Sequence, residues 1–175
     1  MRRLAFSVAS SLDGFIARKD HSIDWLMWSD EAAEATRGLW SRFDAFVMGR
    51  RTFEAAMKTR GAAPAAKEIA TYVVSTSLPD DPEGRFEVIR RDVGDFVRRL
   101  KTQPGKDICL LGGGALARSL IEAGELDELA VNLHPVLLGD GAPLFPPSSC
   151  ETRLRLRESR AFRNGCVYSV YDRAA

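Results

Sequence analysis

Ile108-Cys109-Leu110-Leu111-Gly112-Gly113-Gly114-Ala115-Leu116-Ala117 is an apolar run that ends in three consecutive glycines, with a helical pattern starting at once. Glycine lacks a Cβ, so a chain built from it takes positive φ and passes close to a ligand. The helix predicted from Ala115 to Ala123 would aim its free N–H groups and positive dipole end back at that turn. Strand, glycine turn and helix N-terminus are the unit of an α/β sheet and a natural seat for a phosphate. The glycines spell neither G-x-G-x-x-G nor a P-loop, because no Gly-Lys-Ser/Thr follows. Two readings stay open: a phosphate turn, or a tight strand-to-helix turn with no ligand.

Working outward, the same alternation recurs. Leu4 to Ser10 alternates Leu, Phe and Val with Ala and Ser and predicts a buried strand, followed by a turn at Ser11-Leu12-Asp13-Gly14. Ser29 reads as the N-cap of a helix reaching Phe43, with Asp30 and Glu31 in its first turn and Leu39, Trp40 and Phe43 on one face. Ala45 to Met48 is a strand ending at Gly49; Thr52 to Met57 is helical; Gly61 to Pro64 is a loop. Thr71 to Ser75 and Phe86 to Arg90 read as strands, and Val93, Phe96, Val97 and Leu100 give helical spacing. After the glycine turn come a strand at Glu128 to Leu133, a long loop from Pro135 to Pro147, and two strands joined by Arg163-Asn164-Gly165, a hairpin signal. The pattern predicts one α/β domain over 1–175, with a mostly parallel central sheet and an antiparallel C-terminal hairpin at its edge.

Composition narrows the function. The 175 residues carry 45% hydrophobic side chains and 25 basic against 24 acidic residues, a net charge of +1. That balance argues against nucleic acid or an anionic membrane as the main partner. The arginines from Arg153 to Arg160, interleaved with Leu154 and Leu156, read as a half-exposed strand. Cys109, Cys150 and Cys166 are odd in number and widely spaced, which indicates neither zinc nor a disulfide framework. His21 and His134 have no ligand-spaced companions, so no metal is expected. The N-terminus lacks a signal-peptide core, and the expected location is the cytoplasm.

In such a sheet, ligands bind beyond the carboxyl ends of the strands. Gly49-Arg50-Arg51-Thr52 repeats the logic of the glycine turn and adds two guanidinium groups suited to phosphate. Ser75 and Thr76 end the next strand with neutral donors. Asp13 is the carboxylate after the first strand, either a proton-transfer or substrate-orienting group or an Asp-Gly turn former. Trp25 and Trp28 either wall a flat ring or pack as core or lid.

Taken in order, Ser10 to Ala17, Val47 to Phe53, Val73 to Leu78, Leu111 to Gly114 and Pro135 to Phe145 resemble the dihydrofolate reductase-like superfamily, and most closely its branch related to the RibD C-terminal reductase domain. The resemblance implies a three-layer sandwich, a mostly parallel central sheet flanked by helices, with NADPH bound across the strand ends. Gly49, Arg50, Arg51, Thr52, Gly112, Gly113, Gly114 and Ala115 would embrace its phosphates. Ser75 and Thr76 would lie near the adenosine 2′-phosphate; relatives often carry Arg at the position of Thr76. It places Asp13 toward the substrate as the catalytic candidate. Trp25 and Trp28 are read from their own chemistry as substrate-binding candidates, and the loop from Asp13 to Met27 as a lid. Asp30 or Glu31 lies near the helix acid of dihydrofolate reductases. The implied activity is hydride transfer to a small pterin- or pyrimidine-like ring, as in 5-amino-6-(5-phosphoribosylamino)uracil reductase of riboflavin biosynthesis, in a homodimer. The alternatives are a dihydrofolate reductase proper, or a nucleotide-binding sensor without turnover.

Overall fold

The computed structural model describes residues 1–38, 40–58 and 69–174. The predicted loop at Gly61 to Pro64 and the predicted packing of Leu39 lie outside them. Among the described residues, eight strands form one sheet. In chain order they are β1 (Leu4–Ser11), β3 (Phe43–Gly49), β4 (Ala70–Val74), β5 (Glu87–Ile89), β6 (Asp107–Leu111), β7 (Glu128–His134), β9 (Leu154–Ala161) and β10 (Val167–Arg173). Their order across the sheet is β5-β4-β3-β6-β1-β7-β10-β9. Every pairing from β5 to β7 is parallel, and β10 runs antiparallel to both β7 and β9. The mostly parallel sheet with an antiparallel edge is therefore the architecture found. Two further short strands, β2 (Phe15–Ala17) and β8 (Ala142–Pro143), pair with each other and tie the turn after β1 to the long loop after β7.

Among the described residues, four α-helices cover the sheet. Helices α3 (Val93–Thr102) and α4 (Gly114–Glu122) pack on one face through Val97, Leu100, Ala117 and Leu120, against Leu4, Phe6, Val47, Ile108 and Leu110. On the other face, α2 (Arg50–Lys58) brings Phe53 against Phe46, Met48, Val73 and Cys109, and α1 (Asp30–Arg37) brings Ala32 against Ala130, Tyr168 and Val170. The two faces follow from the pleat: alternate residues of β1, Leu4, Phe6 and Val8, meet α3 and α4, while Ala5, Ser7 and Ala9 turn to the opposite side.

Two expectations need correction. The helix from Ser29 does not reach Phe43: α1 stops at Arg37 before Gly38, Trp40–Arg42 is a single 3-10 turn, and Phe43 opens β3. Glycine is a poor helix interior residue, and Phe43 is better buried in the sheet, where it is 6% exposed. Its start is as expected, since the Ser29 hydroxyl accepts the Ala32 N–H at 3.1 Å. Strand β9 is exposed at every residue rather than half-exposed, with Leu154 and Leu156 open on one face.

Candidate active site

Helices α2 and α4 leave neighbouring strands, β3 and β6, and cross to opposite faces. A crevice opens where such connections part. The two glycine turns meet there: a Cβ on Gly112 would lie 3.0 Å from Thr52 Oγ1. Gly112 and Gly113 have φ of 58° and 86°, conformations that side chains resist. Gly113 is the N-cap residue of α4 and no side chain caps it, so the first-turn N–H groups have no intrahelical or capping partner. Above Gly49 a Cβ would meet nothing within 4 Å, which is open space at the end of β3. Arg50 donates to Ser77 Oγ at 2.8 Å, and Arg51 and Ala115 are exposed. Ser75 Oγ accepts the N–H groups of Ser77 and Leu78, shaping the turn after β4, with Thr76 exposed on it. Gly114 differs from its neighbours. A Cβ there would come 2.7 Å from the Leu144 carbonyl oxygen and closer still to that of Pro143, so its glycine serves the packing of β8 on α4.

A second feature escaped the sequence reading. On the α1 face a cavity of about 190 Å³ lies between α1 and the strands β1 and β7. It exists because β1 offers only Ala5, Ser7 and Ala9 to that side. Among the described residues its walls include Met27, Trp28, Trp40 and Tyr168; Asn132 and His134 stand at one end of β7, and Arg42 and Glu128 at the other. Helix α1 contributes Ala32 and Ala33.

The charged end is closed. Glu128 is 2% exposed, and burial alone would raise its pKa, but Arg42 donates to both its oxygens at 2.7 and 3.0 Å and Arg157 to one at 2.8 Å. The arginines win, and the carboxyl is held below its ordinary value. At the other end His134 is 2% exposed and burial lowers its pKa, so the imidazole is neutral at pH 7. Its Nδ1 accepts the Met27 N–H at 3.1 Å.

The proposed substrate residues scatter. Trp28 borders the cavity and is itself 86% exposed. Trp25 does not: it is buried behind His134, edge-to-face at 5.3 Å between centroids. Trp40, read earlier only as a packing residue, is the other aromatic wall. Asp13 is used structurally. Its carboxylate accepts from Ser11 Oγ at 2.6 Å, from Gly139 N at 2.7 Å and from Leu138 N at 3.1 Å. The Ser11 bond foremost, with those of the loop N–H groups, holds its carboxyl below the usual range, so it is ionised and no proton donor at neutral pH. Glu31 accepts the Arg163 N–H at 3.0 Å and faces Arg160, away from the cavity. Asp30 is exposed. The lid segment is tied down by β2 and by Met27, whose carbonyl accepts from Asn164. Among the described residues no group of His, Cys, Asp or Glu could hold a metal, and no helix is long and apolar enough to cross a membrane.

Comparison with known proteins agrees with this geometry. The chain matches the RibD C-terminal domain over residues 2–168. The uncharacterized protein YwjB of Bacillus subtilis (strain 168) is 32% identical over 163 residues, 92% of each chain. The uncharacterized protein YyaP of the same organism is 29% identical, covering 97% of this chain and 94% of its own. Among solved structures, a putative riboflavin biosynthesis protein from Shewanella sp. PV-4 superposes with a TM-score of 0.85 at 24% identity over 100% of both chains. A diaminohydroxyphosphoribosylaminopyrimidine deaminase/5-amino-6-(5-phosphoribosylamino)uracil reductase from Thermotoga maritima superposes with a TM-score of 0.73 at 14% identity, over 99% of this chain and 57% of that one. Fold, chain-long match and sequence identity agree, and the chain belongs to the RibD C-terminal domain family.

Proposed function

We propose that the protein is an NADPH-dependent reductase of the cytoplasm that transfers hydride to a small planar ring of the pterin or pyrimidine kind. The observation that carries this is adjacency. Strand β1 stands between β6, which ends in the glycine turn, and β7, which carries Asn132 and His134. Crevice and cavity are thus two strand spacings apart, about 10 Å, within the reach of a dinucleotide. In this reading Gly49, Arg50, Arg51, Thr52, Gly112, Gly113 and the first turn of α4 hold the phosphates, with Ser75 and Thr76 at the adenosine end. The bound cofactor supplies hydride from its nicotinamide ring.

The chain's own part is placement and exclusion of water. Trp28 and Trp40 flank the ring, and the small side chains of β1 make room for it. Among the described residues, three carboxylates considered for the site are engaged elsewhere: Glu128 by arginines, Asp13 by the loop, Glu31 by the hairpin turn. We therefore assign the proton that must follow hydride transfer to solvent. The same facts weigh against dihydrofolate reduction proper, because the described part of α1 turns Ala32 and Ala33, not an acid, into the cavity.

Nicotinamide fluorescence during titration with NADPH and NADH tests the reading. Wild type is expected to bind NADPH more tightly. Asn and Asp share shape and tolerate positive φ, so Gly113→Asn and Gly113→Asp differ only in charge. The Asp variant is expected to bind about tenfold more weakly than the Asn variant, the cost of one like charge close to a phosphate. Equal affinities would remove the phosphate from this turn, and no binding of either cofactor by wild type would end the reductase reading. Consumption of bound NADPH with any ring substrate separates an enzyme from a sensor.

The homodimer implied by the resemblance also has a fitting surface. Beyond α4, the α3/α4 face of β7, β10 and β9 presents Val131, Leu133, Val167, Ser169, Tyr171, Leu154, Leu156, Ser159 and Ala161; its charge is Arg173 at the end of β10, which donates to the Gly124 carbonyl. We propose that a second copy covers it.

A further inference from the structure

Asn132 lines the cavity beside Ala9 and Tyr168, its partners on the neighbouring strands, and one atom of its amide is buried without a hydrogen-bond partner. The other amide atom lies 3.1 Å from His134 Nε2. Which amide atom faces the imidazole is fixed from the far side of the ring. The Met27 N–H can only donate, and it points at Nδ1 at 3.1 Å, with the Cys166 thiol 3.4 Å from the same nitrogen. Nδ1 therefore carries the lone pair, and the single proton of the neutral imidazole sits on Nε2. An amide nitrogen against Nε2 would set donor against donor and bury Oδ1 alone. Amide oxygen and nitrogen are alike in shape, so hydrogen bonding assigns them. The oxygen accepts from Nε2, and the NH₂ group takes the buried position beside the cavity, without an acceptor among the described residues.

We propose that Asn132, oriented through His134 and the Met27 backbone, is a specificity-determining donor: its NH₂ hydrogen-bonds an acceptor atom, a carbonyl oxygen or pyridine-type nitrogen, of the ring bound in this cavity. The proposal rests on the cavity being the ring site of the reductase. A ring with an acceptor there satisfies the buried donor. A ring with an amino group there leaves two donors facing each other in a dry site, which costs about 10- to 100-fold in affinity. The tie through Met27 has a second consequence. The backbone that carries Trp28 is held by the same imidazole that orients the amide, so aromatic wall and polar anchor move together.

Two measurements test this. The first is the histidine ¹⁵N spectrum of the wild-type protein. His134 is expected as the Nε2–H tautomer, and an Nδ1–H tautomer would overturn the assignment with no variant or ligand involved. The second is binding of matched bicyclic rings, a quinazolinone and the aminoquinazoline that carries an amino group in place of its carbonyl, followed by tryptophan fluorescence. Wild type is expected to prefer the carbonyl ring by tenfold or more. Asn132→Asp, which offers acceptors in the same shape, is expected to reverse that order. Equal binding of the two rings, or an order unchanged by Asn132→Asp, sinks the role of Asn132 and leaves the cavity as the ring site. If neither ring perturbs the tryptophans while NADPH still binds, the cavity is not the ring site and both readings of it fall.

Discussion

At the scale of single residues, the side chains that define the cavity are joined over long sequence separations. Arg42 and Glu128 are 86 positions apart, and Arg42 also donates to Asp107 at 2.8 Å. Removing one member of a buried pair leaves a charge without compensation, typically at about 3–5 kcal/mol. Arg157 still serves Glu128 when Arg42 is gone, so Arg42→Met is expected to cost about 3 kcal/mol, the low end of that range, in urea denaturation at pH 7. The dependence on pH has a definite sign. The arginines outweigh burial, so the folded pKa of Glu128 lies below its unfolded value of 4.5. Its stabilising contribution is complete above pH 4.5 and fades as pH falls through the folded value. The gap between wild type and Arg42→Met should therefore narrow below pH 4.5, and a gap that holds constant would show that Glu128 does not depend on Arg42. Cooperation of this kind cannot be read from sequence: nothing in Ser41-Arg42-Phe43 says which carboxylate its guanidinium will meet. Asp13 makes the same point. Position alone placed it after a strand, but its partners Leu138 and Gly139 lie more than a hundred residues onward.

At the scale of elements, the strand–glycine–helix unit does more than one job. Gly112 and Gly113 carry positive φ, as the turn requires, while Gly114 lets the segment after β7 press on the start of α4. Gly114→Ala would drive a methyl group into two backbone carbonyls, which cannot swing aside as a side chain can. Overpacking of this sort costs about 1–3 kcal/mol, and the upper end is expected here. Hydrogen exchange should show amides around Leu144 losing protection while those of β6 keep theirs; uniform loss would mean that the whole domain, not this contact, was strained. Most elements were legible because each carries its own period: alternation in β1, helical spacing in α3, the Asn-Gly turn between β9 and β10. The early end of α1 was less so, since Trp40 and Phe43 fit a helical face as well as they fit a strand entry. The small residues Ala5, Ser7 and Ala9 were visible as one side of a strand. That they roof a cavity depends on where α1 passes and on the register that sets Ala9 beside Asn132, both products of tertiary packing.

At the scale of the whole molecule, the sheet is covered unevenly, and the charges of β9 show which part is meant to be covered. On the α1 face lie Arg155, Glu158 and Arg160; Arg157 reaches Glu128 and Asp172, and Arg160 faces Glu31. On the opposite face the same strand shows Leu154, Leu156, Ser159 and Ala161. An edge strand left in water normally carries charge on its open face as a guard against unwanted pairing. Its absence from this face of β9, continued across β10 and β7 up to Arg173, which is turned onto the Gly124 carbonyl, fits a surface that packs against its own copy about a twofold axis, where like meets like. Leu156, 54% exposed in the isolated chain, sits in this strip opposite Tyr171. An arginine there would face its own symmetry mate or a neighbour's leucine. Sedimentation equilibrium is expected to give a dimer for wild type and a monomer for Leu156→Arg at the same micromolar concentration, with an unchanged circular dichroism spectrum. A wild-type monomer at all concentrations, or a variant that stays dimeric, would leave this face to some other partner. The cavity lies on the α1 side of the sheet and the strip on the other, so the monomeric variant should still bind NADPH. Retained binding with lost association would separate the chemistry of the site from the assembly that carries it.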